Sequence, residues 1–321
     1  MPLPKAIYYG LLKIGIAVMC GIFLYKRTLR FDYLEIETLY KHCFVTNWWL
    51  LLLAILLLFF NWGIETIKWK YLIRKIEKLT FFKAFGAIMA GVTISSFTPN
   101  RVGEFGGRMM LLTNKFDTRV ITLTIIGGMS QLMVTLGIGI PCLVFFLTFY
   151  NVSDFEHSGW ILGFGTVGLL IYAVVFCKLP FIYRQINLRF GKHNLLKRIT
   201  EGVAYIDGFG LRYITMLSLM RYLIFFSQYV LVLLFFNVHL LWYHYLLFLP
   251  AVFLIQTIIP TFVLTEIGVR ASVAIAVLSV ANHGEDQIMA ASALLWIINL
   301  MLPAMVGVVI LLFTRLTKSE R

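Results

Sequence analysis

The 321-residue chain reads as an all-α polytopic membrane protein, with about six full transmembrane helices plus two opposed re-entrant helical hairpins in an inverted-repeat arrangement. Three observations lead there. Hydrophobic residues make up 60% of the chain, charged residues only 13%, and mean hydropathy is +0.87, too much apolar surface for a water-soluble core. Apolar runs of spanning length recur between loops of alternating charge. Two clusters of charge interrupt apolar segments, where an ionised side chain at the bilayer centre costs about 2.5–3.5 kcal/mol on insertion scales.

In chain order, the apolar windows place spans near 7–25, 46–64, 119–149, 159–178, 211–237 and 288–314, with shorter broken segments around 81–114 and 244–281. Lys13 interrupts the first run and no small-x-small site follows Cys20, so that run reads as an uncleaved span rather than a signal peptide. The stretch from Glu65 to Thr80 is basic and amphipathic. It reads either as a helix lying in the membrane interface or as an extension of the preceding span.

Between Glu65 and Lys83 there are six Lys or Arg against two acids, and between Lys178 and Glu201 six against one, whereas Asp154-Phe155-Glu156 and Glu285-Asp286 carry acids alone. Basic loops go to the cytoplasm, which puts both termini inside. The net charge of +13 follows from these loops and not from a nucleic-acid surface. Parity then requires 81–114 and 244–281 each to enter and return from opposite sides. The single transmembrane domain 1–321 therefore divides into a span-hairpin-span unit, 46–149, and a second, inverted unit, 211–314.

The first hairpin tip is Thr98-Pro99-Asn100-Arg101-Val102-Gly103-Glu104-Phe105-Gly106-Gly107-Arg108. Thr98 or Asn100 is suited to cap a helix beginning at Pro99. On such a helix Arg101, Glu104 and Arg108 share a face, and Gly103, Gly106 and Gly107 leave room for a neighbouring backbone or a headgroup. One acid between two arginines leaves a positive excess. In the second tip Thr265 is a candidate cap, Glu266 lies in the first turn, and Arg270 follows at i+4 as a self-neutralising pair. A pocket bounded by both tips would attract an anion, most naturally phosphate. Gln131, Arg221, Gln228, Gln256 and Asn299 are further polar residues on apolar spans and candidates to line the same cavity. Each alone is better explained by inter-helix hydrogen bonds, except Arg221, which needs a counter-ion or access to the interface.

Other motifs carry less. Gly163-Phe164-Gly165-Thr166-Val167-Gly168 spells GxGxxG, but it lies within a span without a preceding strand and reads as helix-packing glycine. There is no Walker A sequence, no metal-ligand spacing among the six histidines and no nucleophile elbow, so no cofactor, metal or catalytic group is expected. Cys20, Cys43, Cys142 and Cys177 read as small core residues, and Trp48-Trp49, Trp62, Trp69 and Trp242 as interfacial anchors.

At Thr98-Pro99-Asn100-Arg101-Val102-Gly103-Glu104 the chain resembles the membrane region of lysylphosphatidylglycerol synthases, a flippase-like family, and Pro260 with Gly268-Val269-Arg270 resembles that family's second motif. Asn100 and Glu266 stand where the family commonly has glycine, and Ala271 where it commonly has an acid. The resemblance implies a lipid translocase of the bacterial inner membrane rather than an enzyme, and lysine transfer to lipid is not expected. An anionic phospholipid or lipid-linked phosphate headgroup would bind Arg101, Arg108 and Arg270, with Thr98, Glu104 and Glu266 around it. Rocking of one repeat against the other would expose the site alternately to each leaflet. The alternative is a membrane enzyme or accessory subunit for lipid or lipid-linked sugar modification. A homodimer or a separately encoded lipid-modifying enzyme is the partner such a protein would take.

Overall fold

A computed structural model describes residues 41, 43–96, 98, 102–113, 117–149, 158–190, 201–259, 263–281 and 284–313. Among them all regular structure is helical: α1 (Trp48–Ile73), α2 (Phe81–Ser96), α3 (Gly103–Met109), α4 (Thr118–Phe149), α5 (Ser158–Cys177), α6 (Leu179–Phe190), α7 (Gly208–Phe235), α8 (Trp242–Ile258), α9 (Val263–Leu278), α10 (Glu285–Trp296) and α11 (Leu302–Phe313). A π-helical turn, Ile297–Met301, joins α10 to α11.

Four stretches are long and apolar enough to cross a membrane: α1, α4, α7 and the continuous run Glu285–Phe313. Gly163–Cys177 and Leu179–Gln185 pass the same test only as a pair bent by 66°. The protein is thus a helical, multi-pass membrane protein. The window 159–178 counts as a span only through that bent pair, and 7–25 lies outside the described residues. Helices α2 and α8 are apolar but only 16 and 17 residues long. At the α-helical rise that is about 24–26 Å, short of a hydrocarbon core of about 30 Å.

The structure decides the two readings left open for 65–80. Helix α1 continues without a break to Ile73, and Glu65, Lys68, Trp69 and Leu72 are buried. The stretch extends the span and does not lie on the surface. Trp69 is accordingly no interfacial anchor: its indole N–H donates to Thr124 Oγ1 at 3.1 Å. Trp48, Trp49 and Trp242 do keep exposed rings. The glycine motif in α5 also departs from expectation. A Cβ added at Gly163 or Gly168 would meet nothing within 4 Å, so these glycines pack against no helix of the described chain. Of the cysteines, Cys43 is buried, Cys142 half-buried and Cys177 exposed; Cys177 is therefore not core, and Cys20 lies outside the described residues.

The chain packs as two compact units, each assembled from separate stretches of sequence. The first takes in residues up to Leu57, then Gly139–Ser158 and Phe226–Ile298; the second takes in Leu58–Ile138, Gly159–Phe225 and Asn299 onward.

In the first unit α9 packs on α8 and α10. Pro250, inside α8, has no N–H to offer the Leu246 carbonyl one turn back. The Cys142 thiol supplies a donor there at 3.6 Å. Gly139 lets α4 approach closely, since a Cβ there would lie 2.7 Å from Leu254 Cβ. Helix α7 ends on Asn237, in the left-handed region at φ 60°. Its N–H bonds Leu234 O at 3.0 Å and the Val238 N–H bonds Leu233 O at 2.9 Å, a Schellman closure. The Asn47 amide adds donors to Phe235 O at 3.2 Å and Asn237 Oδ1 at 2.9 Å.

In the second unit α2 packs against α3 and α11. These helices touch backbone to backbone. A Cβ at Gly107 would fall 2.6 Å from both Ala90 O and Gly91 Cα, and one at Gly307 would fall 2.2 Å from Met89 O. Thr93 fastens the same crossing, donating to Met89 O at 3.0 Å and Ala304 O at 2.8 Å.

Candidate functional site: a buried charge cluster on Glu65

Helix α1 carries Asn61, Glu65, Lys68 and Trp69 on one face, at spacings of four, three and one residues. In the second unit this face meets α3, α4 and α7. Glu65 is the hub, and both of its oxygens are engaged. Oε1 accepts from Arg108 at 3.0 Å, while Oε2 accepts from Lys68 Nζ at 2.8 Å and from Arg221 at 2.5 Å. Arg108 also pairs with Glu104, one turn before it on α3.

The partners beyond the hub are neutral. Asn61 Oδ1 accepts from Arg221 Nε at 2.9 Å, and its amide donates to Asn299 in the π turn at 3.3 Å. Lys68 Nζ reaches the Gly127 carbonyl and Ser218 Oγ, each at 3.4 Å. Ser130 donates to Gly127 O at 2.7 Å and lies 2.8 Å from Ser218 Oγ. Indole rings flank the cations, with Arg221 5.7 Å from the Trp62 ring centre and Arg108 5.6 Å from that of Trp69.

Among the described residues Lys68, Arg108 and Arg221 face two carboxylates, Glu65 and Glu104, so one positive charge is in excess when Lys68 is protonated. Two buried donors beside them, Arg108 Nε and Trp62 Nε1, have no acceptor among the described residues. Buried donors are rarely left unpaired, so such orphans call for a specific cause. The cluster is closed on one side and open on another: the Arg108 side chain is 5% exposed, that of Glu104 30%.

Helix geometry sets Arg108's reach. Gly91 on α2 lies directly under its stem, where a Cβ would stand 2.8 Å from Arg108 Cγ and 3.0 Å from Glu104 O. Of the three tip glycines, Gly103 and Gly107 are close-approach positions, whereas a Cβ at Gly106 would meet nothing within 4 Å. The tip's capping differs from the sequence reading. Helix α3 starts at Gly103, not at Pro99, and has seven residues, too few for an N-terminal anion site. Thr98 Oγ1 accepts the Gly103 N–H at 2.8 Å, so Thr98 does close this turn. Arg101 and its neighbours Pro99 and Asn100 lie outside the described residues, so the shared face expected for Arg101, Glu104 and Arg108 reduces to Glu104 and Arg108.

The second charged pair belongs to the first unit. Arg270 Nε and a terminal nitrogen donate to Glu266 Oε1 at 2.9 and 2.7 Å. Gln256 bonds the same arginine, accepting from Arg270 at 3.3 Å and donating to the Arg270 carbonyl at 3.2 Å. Thr265 is the third residue of α9, inside the helix and not its cap.

The remaining polar candidates separate. Arg221 has the counter-ion it required, and Asn299 joins the same network through Asn61. Gln228 is fully buried and donates to Ala54 O at 2.8 Å, an inter-helix tie in the first unit. Gln131 keeps a buried Oε1 without a donor among the described residues. Sequence reasoning missed Glu65, Lys68, Asn61 and Trp69. The signal was present in the helical spacing of four non-lipid residues, but the charges at 65 and 68 read as the start of a loop. Among the described residues no three His, Cys, Asp or Glu side chains gather as a metal site.

The family model described as the lysylphosphatidylglycerol synthase TM region matches residues 10–307. The chain belongs to that family. The match takes in all the residues of the Glu65 cluster and the Glu266–Arg270 pair, and the family fits a lipid-related role in the membrane. No curated protein and no solved structure matches the chain.

Proposed function

We propose that the protein is a lipid translocase of the bacterial inner membrane, with both termini cytoplasmic, and that it binds the headgroup phosphate of an anionic phospholipid or lipid-linked phosphate at the Glu65 cluster. The observation that carries the reading is the excess cation beside two orphan donors, Arg108 Nε and Trp62 Nε1. A phosphate oxygen is the acceptor such donors lack, and arginine suits phosphate better than any other side chain. Glu104 sits at the accessible edge and holds Arg108 when no lipid is bound. An arriving phosphate accepts from Arg108 Nε, and Glu104 keeps its bond to the same guanidinium. The first motif, Thr98 to Arg108, has a single acid and no serine or cysteine in its sequence, which favours movement of the headgroup over its chemical modification. Arg101 and Arg270 are further candidates from the sequence for headgroup recognition, each to be tested by itself.

The reading is tested in liposomes carrying a fluorescent anionic lipid. Arg108→Ala and Arg221→Ala, each shown to be folded by gel filtration, are expected to slow translocation at least about tenfold, the loss of one charge-assisted contact. Arg101→Ala and Arg270→Ala are measured alongside. Unchanged rates in the Arg108 and Arg221 variants would remove this cluster from the transport path.

A further inference from the structure

The Glu65 cluster holds one side chain that headgroup recognition does not use. Lys68 is buried against Glu65, the Gly127 carbonyl and Ser218. The groups facing it are Glu65 on its own helix, Arg108 and Glu104 from α3, Ser130 and the Gly127 carbonyl from α4, and Arg221 and Ser218 from α7. We propose that Lys68 is the proton-exchanging group of this cluster, so that a phosphodiester headgroup and one proton bind together; this rests on the headgroup-binding reading above.

Charge balance leads to this assignment. With Lys68 protonated, three cations face two carboxylates among the described residues, and the set, with Glu65, Lys68 and Arg108 buried, carries one net positive charge; with Lys68 neutral the set is balanced. Burying an unbalanced charge is expensive, so the lipid-free cluster favours the neutral amine. A phosphodiester brings one negative charge, and then only the ammonium form is balanced. Protonating Glu65 or Glu104 would enlarge the excess, and arginine does not give up its proton in proteins. Lysine is the one member able to make the change.

Local hydrogen bonding permits it. When the ammonium releases a proton, its two neutral acceptors are not stranded. Ser130 already donates to Gly127 O and lies within hydrogen-bond distance of Ser218 Oγ, and the amine keeps two N–H groups for Glu65. The proton balance is simple: bulk water supplies the proton, Lys68 Nζ gains the bond, and release of the lipid returns it. A pH difference across the membrane then biases the direction of lipid movement.

The experiment uses the full chain in detergent, with dihexanoyl phosphatidylglycerol as probe and dihexanoyl phosphatidylcholine as control. Proton uptake on binding is read with a pH dye in weak buffer across about pH 6–10. The wild type is expected to approach about one proton per bound anionic lipid at the alkaline end, with affinity falling about tenfold per pH unit there. Lys68→Arg, which keeps the charge but cannot release it, is expected to bind the lipid with no uptake and a flat affinity profile. Binding by the wild type without proton uptake overturns the coupling and leaves the headgroup reading standing. Equal uptake in Lys68→Arg likewise overturns it. No anionic-lipid binding by folded wild type at any pH overturns both. The wild-type titration decides the matter even if the variant does not fold.

Discussion

The Glu65 cluster and the Glu266–Arg270 pair start from the same local unit, a glutamate one helical turn before an arginine, and end with different electrostatics. On α9 the arginine turns to its own glutamate and to a neutral amide, Gln256. On α3 the arginine is shared with a second carboxylate, Glu65, which also draws in Lys68 and Arg221. The pair on α9 has an arginine side chain that is 28% exposed; the cluster on Glu65 sets three basic side chains against two carboxylates and its Arg108 side chain is 5% exposed. An i,i+4 glutamate–arginine motif therefore does not by itself mark a binding site. What matters is whether a third element brings unequal charge to it.

The most severe way to break the comparison is to remove each glutamate. Glu65→Gln leaves three cations, Lys68 and Arg108 buried among them, with one carboxylate and is expected to cost roughly 3–5 kcal/mol. Glu266→Gln keeps an oxygen toward a half-exposed arginine and is expected to cost only about 1 kcal/mol. Thermal unfolding in mild detergent measures both, and equal losses would show that the two sites are held in the same way.

A smaller effect is expected at the close helix contacts of each unit. Gly307→Ala drives a Cβ to 2.2 Å from a backbone oxygen, so α11 must move, at a cost of about 1–3 kcal/mol. Gly139→Ala meets the Leu254 side chain at 2.7 Å and belongs at the low end of that range. Gly106→Ala, with open space around it, is expected to be neutral or stabilising by up to about 1 kcal/mol through helix propensity. The same unfolding assay ranks the three.

The smallest effect is at the loop between α1 and α2. Burial there opposes ionisation, but Lys83 at 3.0 Å and the Thr113 N–H and hydroxyl at 3.0 and 2.9 Å hold the Glu77 carboxyl below its ordinary range. A depressed carboxylate contributes stability above its unfolded value, and that contribution is lost as pH falls through the folded one. Glu77→Gln is therefore expected to cost under about 1 kcal/mol at neutral pH. Acid unfolding curves of variant and wild type should converge below the ordinary glutamate range.

The fold class was legible because the bilayer constrains composition and run length so strongly that α1, α4 and α7 could be placed from hydropathy alone. The helix-end details were not. Pro99 has the chemistry of a helix start, yet α3 starts at Gly103, where a Cβ would lie 2.8 Å from Ile94 O and the backbone contact with α2 sets the turn. The site was half legible. Glu104, Arg108, Glu266 and Arg270 declared themselves as charge within apolar sequence, and Arg221 declared its need for a counter-ion. Glu65 and Lys68 did not, because hydropathy treats a charge near the end of a run as a boundary. Only the burial of Trp69 and Leu72 beyond them shows that the run goes on.

Gly91 shows how finely that arrangement is tuned. It bears no charge and makes no polar side-chain contact, yet it is the floor on which the Arg108 stem rests. A single methyl group there would tip the guanidinium away from Glu65, a steric change with an ionic phenotype. A survey of variants confined to charged positions would pass over the residue that aims the charge.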